Sequence, residues 1–254
     1  MVMRDFISAF PNHIGDALKI AENISINYEK SQISNIVISG QGGSAIGGLI
    51  ASNILSDENL IPLFINRNYS TPGFVNSNTL FIASSYSGNT EETLSALKEA
   101  ENKECFIFCI CSGGQLLKIA QQKKYNHIII PSGGAPRAML CYSLIQILYL
   151  LYKINDLPID LLTTELKEAQ THLLSQQKSI INLAIECASK MASKMPFIYT
   201  FPEYEGVAIR FKQQLNENTK QHATYNLIPE MNHNEIVGWS HKNSCVIPVF
   251  INGI

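Results

Sequence analysis

Short, nearly continuous apolar runs, each closed by glycine, serine, proline or asparagine, recur through the first half of the chain. Residues 35–39, 62–66, 79–83, 105–111 and 127–130 are such runs, rich in β-branched and aromatic side chains. Each reads as a strand buried on both faces. Between them, 46–55, 90–102 and 115–123 carry apolar residues at helical spacing, and 137–153 is so apolar that it predicts a buried helix. Strands without polar alternation, each followed by a helix, predict a parallel sheet covered by helices on both sides. The fold class is therefore α/β.

The pattern then changes. Residues 157–160 read as a connector and 161–194 as a long, mostly helical span. A strand at 197–200, a helix at 207–220 and a strand at 246–251 follow. This predicts two lobes, 1–153 and 154–254. The second opens an α/β unit of the same kind and is C-terminally short, with a sheet incomplete relative to the first.

Composition narrows the setting. At 254 residues, 46% hydrophobic and 16% charged, the chain can build one large core or two smaller ones. A formal net charge of -2, with no basic stripe, argues against a nucleic-acid or membrane partner. The run 144–152 is too short to span a bilayer and is followed by Lys153 and Asp156. Residues 1–10 lack the apolar core and cleavage site of a signal peptide. Six scattered cysteines fit neither a zinc pattern nor a disulfide scaffold, and read as reduced core thiols of a cytoplasmic protein. No His/Cys spacing calls for a metal, and no cofactor is expected.

The densest chemistry follows the third strand. Ser84-Ser85-Tyr86-Ser87-Gly88-Asn89-Thr90-Glu91-Glu92-Thr93 brings hydroxyls to the start of a helix, where unpaired backbone N–H groups and the dipole favour an anion. Ser85, Ser87 and Thr90 can donate to phosphate oxygens, and Gly88 allows close backbone approach. The same residues would also serve as a helix cap. Gly40-Gln41-Gly42-Gly43-Ser44 follows the first strand in the same way, without the GxGxxG or GK[ST] spacing of nucleotide loops. It is either a tight turn or a second loop at the ligand edge of the sheet. Arg137, alone in an apolar segment after Gly133-Gly134-Ala135-Pro136, is either solvated or placed to balance charge on an oxygen. Glu217 and His233 stand in polar, Asn-rich segments, and the same choice applies between solvated side chains and proton transfer.

Taken together, GGSAIGG, SYSGNTEET, GGAPRAML and LNENTK…PEMNHNEIVGW, in this order, resemble the bifunctional phosphoglucose/phosphomannose isomerase family of the sugar-isomerase (SIS) superfamily. The resemblance runs from about residue 35 to 239. It implies two SIS domains, each a parallel sheet flanked by helices, and a homodimer that builds the active sites. It makes Ser85, Ser87 and Thr90 phosphate ligands, and Gly42, Gly43 and Ser44 the lining of the sugar pocket. It makes Arg137 the stabiliser of an enediolate, Glu217 the base between C1 and C2, and His233 the ring-opening residue, supplied by the neighbouring subunit. The implied reaction is aldose–ketose isomerisation of glucose 6-phosphate, and of mannose 6-phosphate, with fructose 6-phosphate, in carbohydrate metabolism. The family's C-terminal segment, which carries a catalytic-site lysine, has no counterpart in these residues. A phosphosugar sensor without turnover is the alternative.

Overall fold

The computed structural model describes residues 3–58 and 61–253. The chain forms two compact units, Met1–His172 and Leu173–Ile254. The first opens with a helix, α1 (Met3–Ala21), which buries Ile14, Ala17, Leu18 and Ala21 along one face. The apolar pattern predicts no element there, because Pro11 interrupts it. Five strands follow, β1 (Asn35–Ser39), β2 (Leu63–Asn66), β3 (Thr79–Ser85), β4 (Phe106–Cys111) and β5 (Asn126–Ile129). They form one parallel sheet in the order β2-β1-β3-β4-β5. The crossovers carry α2 (Gly42–Ile54), α3 (Glu91–Asn102) and α4 (Gly114–Lys123), and α5 (Leu140–Ile154) closes the unit.

Every residue of β3 is buried, which is why this run shows no polar alternation. Val37, Phe81, Ala83, Cys109 and Cys111 pack on one face against Ala96, Leu97 and Ala100 of α3 and Leu116 and Ala120 of α4. On the other face, α2 lies so close that a Cβ at Gly48 would stand 2.9 Å from Ile38 Cγ2. Helix α5 packs against α1 and α2, and Tyr142, Ile145, Leu148 and Leu151 are among its buried side chains.

Helix α6 (Ile159–Met191) leads into the second unit. There β6 (Met195–Thr200), β7 (Thr224–Leu227) and β8 (Val246–Ile251) form a second, separate parallel sheet in the order β7-β6-β8. Helix α7 (Glu205–Gln214) buries Ala208 against Ile198 of the central strand, with Leu215 and Ala223 completing the cluster. The short α8 (Ile228–Met231) follows β7.

Several boundaries differ from those the apolar pattern predicts, each for a local reason. Helix α2 starts at Gly42, not at residue 46, so Gly42, Gly43 and Ser44 form its first turn. Strand β3 extends to Ser85, because Ser84 and Ser85 keep pairing with Ile110 and Cys111. Arg137 lies in a 3-10 turn, Pro136–Ala138, ahead of α5 rather than on it. The helix expected over 207–220 ends at Gln214 and continues as a π-helical turn, Leu215–Thr219. Strand β7 is absent from the expectation because Thr-Tyr-Asn-Leu is half-buried and carries no continuous apolar signal. Cys109, Cys111 and Cys141 are buried free thiols, pushed up in pKa by burial, whereas Cys187 and Cys245 are exposed, unlike core thiols.

Gly88 is the backbone position with least freedom. Its φ is +68°, and a Cβ there would fall 1.8 Å from the Gly113 carbonyl oxygen. Gly88→Ala should therefore destabilise the first unit by about 2–4 kcal/mol, from the positive φ and the overpacking together. Gly73→Ala, with nothing within 4 Å of its Cβ, should change stability by less than about 0.5 kcal/mol. Urea denaturation of the two variants beside the parent chain measures the difference.

Candidate functional site

In the first unit the chain leaves β1 for β2 on one side and later enters β3 on the other, so the sheet order reverses between β1 and β3. The turns after the carboxyl ends of these two strands flank a crevice of the kind open parallel sheets use for ligands. Gly40 lets the two turns meet, since a Cβ there would lie 2.8 Å from the Ser84 carbonyl oxygen and 3.0 Å from Ser44 Cβ. Ser44 is buried in this turn, its N–H donating to the Gln41 carbonyl at 3.0 Å.

The turn after β3 is tightly bonded. Ser85 Oγ and Thr90 Oγ1 share a hydrogen bond of 2.8 Å. The Gly88 N–H donates to both the carbonyl and the Oγ of Ser85, at 3.0 and 3.1 Å. The Asn89 N–H donates to Ser87 Oγ at 3.2 Å, and Ser87 is exposed. Thr90 holds the N-cap position of α3, yet its side chain makes no capping hydrogen bond. The simple capping reading of this stretch therefore fails for Thr90, whose hydroxyl turns to Ser85 instead. No lysine or arginine occurs between residues 84 and 93. Whatever anion affinity the turn has must come from hydroxyls, backbone N–H groups and the dipole of α3.

Asn89 reaches sideways, its Oδ1 accepting from the Gln115 N–H at the start of α4, at 2.9 Å. Tyr86 ties in two more segments. Its carbonyl accepts from Ser112 Oγ at 2.6 Å, and its hydroxyl accepts from the Gly134 N–H at 3.0 Å. Three residues on from that contact stands Arg137. Ser85, at the end of β3, Ser44, in the first turn of α2, and Ser87, Thr90 and Arg137, in the segments after β3 and β5, thus all lie beyond or at the carboxyl ends of strands of one sheet.

Glu217 and His233 belong to the second unit, and the topology separates them. Helix α7 starts after the carboxyl end of β6 and must return the chain to the amino end of β7 for the two strands to run parallel. Glu217, in the π turn at the far end of α7, is therefore near the amino edge of this sheet. The adjoining Gln221 side chain donates to the Lys194 carbonyl, just before β6. His233 follows β7 and α8, at the carboxyl edge, its N–H donating to the Glu230 carbonyl at 3.0 Å. The four residues of β7 alone span about 13 Å. Within one chain the two residues thus follow opposite ends of β7.

Both side chains are exposed, and both are held through their surroundings. In the π turn Thr219 Oγ1 donates to the Leu215 carbonyl at 2.6 Å and Lys220 Nζ to the Glu217 carbonyl at 2.6 Å. Burial pulls the guanidinium of Arg210 below its ordinary pKa, while the Glu217 carboxylate acts in the opposite sense. Beside His233, the 3-10 segment Glu235–Ser240 is pinned to the sheet by one carboxylate. Glu235 accepts from the Tyr199 hydroxyl at 2.8 Å and from Asn226 Nδ2 at 2.6 Å, and Trp239 Nε1 donates to the same tyrosine hydroxyl at 2.8 Å. Burial, then the bond to Glu235, raises the Tyr199 pKa to about 12. An apolar pocket of about 350 Å³, lined by Ile228, Met231, Ile236, Trp239 and Phe250 among others, adjoins this segment. Tyr86, Asn89 and Glu235 lie inside the motifs but show their bonding only in the structure, and Tyr199, outside every motif, carries no sequence signal beyond being aromatic. No group of three or more His, Cys, Asp or Glu side chains that could hold a metal occurs among the described residues. No described helix is long and apolar enough to cross a membrane.

These features define an α/β protein of the sugar-isomerase (SIS) class. The bacterial phospho-glucose isomerase C-terminal SIS domain family matches residues 180–252. The structure also resembles the C-terminal domain of glucosamine-fructose-6-phosphate aminotransferase from Francisella tularensis. The TM-score is 0.77 at 17% identity, over 98% of this chain and 75% of that one, a likeness of fold. In sequence the chain is 41% identical over 242 residues to the bifunctional phosphoglucose/phosphomannose isomerase of Caldicellulosiruptor bescii, covering 93% of this chain and 71% of that protein. It is 34% identical over 190 residues to the D-glucosamine-6-phosphate 4-epimerase of Sulfolobus acidocaldarius, covering 70% of this chain and 56% of that protein. The chain belongs to the bifunctional phosphoglucose/phosphomannose isomerase family.

Trp239 is the only tryptophan of the chain and reports on the second unit alone. Tyr199→Phe removes its hydrogen-bond partner and one of the donors to Glu235. The variant should shift Trp239 emission to the red and lower the stability of this unit by about 1–3 kcal/mol. Fluorescence-monitored urea unfolding checks both effects. Unchanged emission would mean that the tyrosine does not hold the segment.

Proposed function

We propose that the chain is an aldose–ketose isomerase acting on fructose 6-phosphate, glucose 6-phosphate and mannose 6-phosphate, working as a cytoplasmic homodimer in glycolysis and gluconeogenesis. The observation that carries this reading is the hydroxyl turn after β3, built at the reversal of the sheet order without a cation, in a chain of this family. In the proposed reaction Ser85, Ser87 and Thr90 hold the phosphate, with Gly42, Gly43 and Ser44 beside the sugar. Fixing the distal end keeps C1 and C2 in register at low entropic cost. His233 passes a proton to the ring oxygen as the ring opens. Glu217 then removes the C2 proton and returns it to C1, while Arg137 balances charge on the enediolate oxygens.

The separation of Glu217 and His233 within one chain supports a homodimer, since one reaction needs both groups on one sugar. Helix α6 also leaves Leu174, Ile181, Leu183 and Ile185 exposed, apolar area of the kind a second copy covers. A second reading, 4-epimerisation of an amino-sugar phosphate, draws on the Sulfolobus relative. Incubating purified chain with fructose 6-phosphate, and separately with glucosamine 6-phosphate, distinguishes the two. Formation of glucose and mannose 6-phosphates supports the isomerase. A C4 epimer from the amino sugar, with no turnover of fructose 6-phosphate, would replace it.

The shared site makes a sharp prediction. Glu217→Gln and His233→Ala should each lower kcat by orders of magnitude with little effect on phosphosugar affinity, because both act on the transition state. Mixing the two inactive variants under conditions that exchange subunits should restore about a quarter of parent activity. Half of the dimers would then be mixed, and one site in each would have both groups. No recovery despite demonstrated subunit exchange would rule out the shared site.

The hydroxyl turn is tested separately by Ser87→Ala combined with Thr90→Val. Phosphosugar affinity by calorimetry should weaken at least about tenfold, corresponding to ~1.4 kcal/mol. The melting temperature should fall only by the amount that loss of the Ser85–Thr90 hydrogen bond accounts for, about 1 kcal/mol, because Thr90 makes no cap. A lower melting temperature with unchanged affinity would remove these residues from ligand binding.

A further inference from the structure

We propose that Tyr86 is a positioning residue for Arg137, acting through the Gly134 N–H. This rests on the role given to Arg137 above and goes beyond it, because no catalytic assignment includes the tyrosine. Tyr86 follows β3 directly, and its main chain is fixed to the β4 exit. The Ser112 N–H and Oγ both donate to its carbonyl, at 3.0 and 2.6 Å. Its ring is thus mounted at the end of a strand buried along its whole length. From that mount the hydroxyl crosses to the segment after β5 and accepts the Gly134 N–H at 3.0 Å.

That segment can be set by a single anchor because its geometry is otherwise narrow. The Ile130 N–H donates to the Cys111 carbonyl at 3.0 Å, which fixes where the segment begins. Gly133 has φ +88°, and a Cβ on Gly134 would overlap Met139 at 2.4 Å from its sulfur. The segment turns at Gly133 in the left-handed region and passes close to the Met139 side chain. The Ala138 and Met139 N–H groups close the 3-10 turn onto the Ala135 and Pro136 carbonyls, at 2.8 and 3.2 Å. Between the Tyr86 contact and this closed turn only Ala135 and Pro136 intervene before Arg137. The position of the Gly134 N–H sets the origin from which the arginine reaches out, and Tyr86 sets that position relative to the hydroxyl turn. The phosphate turn and the charge-balancing arginine are thereby held at a fixed spacing by one phenol.

The test is Tyr86→Phe, which keeps the ring and the main-chain bonds and deletes only the hydroxyl. Arg137 is assigned to charge that develops in the transition state, so a loosened arginine should lower kcat and leave KM nearly unchanged. The expected loss in kcat is about three- to tenfold, the range spanned by one neutral hydrogen bond. Arg137→Lys should cost more. In the double variant the two losses should fail to add, because a lysine at 137 no longer depends on the placement of a planar fork. Amide exchange of residues 133–138 should quicken in Tyr86→Phe, while that of residues 85–90 stays at the parent rate. Additive kinetic losses, or unchanged exchange at 133–138, would overturn the proposal. If the parent chain does not isomerise phosphosugars, the functional reading fails on that result. The exchange measurement still decides whether Tyr86 holds the Arg137 segment.

Discussion

Much of the first unit depends on the bonding between two neighbouring backbone turns, those that follow β3 and β4. The Leu116 N–H donates to the Gly88 carbonyl at 2.9 Å, the Ser112 N–H to the Tyr86 carbonyl at 3.0 Å, and Asn89 Oδ1 receives the Gln115 N–H at 2.9 Å. These bonds span two strand exits, so the start of α4 is satisfied by the turn that precedes α3. Backbone groups at helix starts have no partner inside the helix. Here that need is met by the adjacent turn, which makes the shape of the turn after β3 a condition of folding. The absence of a side chain at Gly88 follows from the same contact, because the Gly113 carbonyl fills the space a Cβ would need.

This constraint separates what in the site is rigid from what is available. Ser85 is buried and bonded, Gly88 is enclosed, and Asn89 is spent on α4. Ser87 projects outward and Thr90 is only partly covered. A ligand meeting this turn would find hydroxyls already held at fixed positions, so little side-chain freedom remains to be lost on binding. The second unit uses a different device. One carboxylate, Glu235, gathers Tyr199 and Asn226, and Trp239 joins through the tyrosine hydroxyl, which fastens the irregular stretch beyond His233 to the sheet.

The first sheet is legible in the sequence because its strands are buried on both faces. Uninterrupted apolar runs as short as 79–83 and 105–111 suit few environments besides the interior of a parallel sheet. The hydroxyl turn is legible for a similar reason, since glycine and serine between a strand and a helix leave few conformations open. What the sequence hides depends on contacts distant along the chain. Strand β7 is recognisable only by its pairing with β6, and α1 carries a proline in its interior. Tyr86 lies in plain view within the motif, yet its partner Gly134 is 48 residues away. The opposition of Glu217 and His233 across the second sheet likewise needs the strand order. Their chemistry can be named from motif alone, but their placement cannot.

The π turn at Leu215–Thr219 also bears on how the chain tolerates change. A π turn accommodates one residue more than the α-helix it interrupts. Its wider loop presents Glu217 on a surface that a regular continuation of α7 would have assigned to a neighbouring position, about 100° around the axis. Single-residue deletions within helices are ordinarily ruinous, since they rotate everything that follows. Here the extra residue sits in the turn that ends α7, with Lys220 in the left-handed region directly after it, so little helix lies beyond it to be rotated. The second unit could thus keep its core while turning its carboxylate away, so that length variation at this one point can separate the fold from its chemistry.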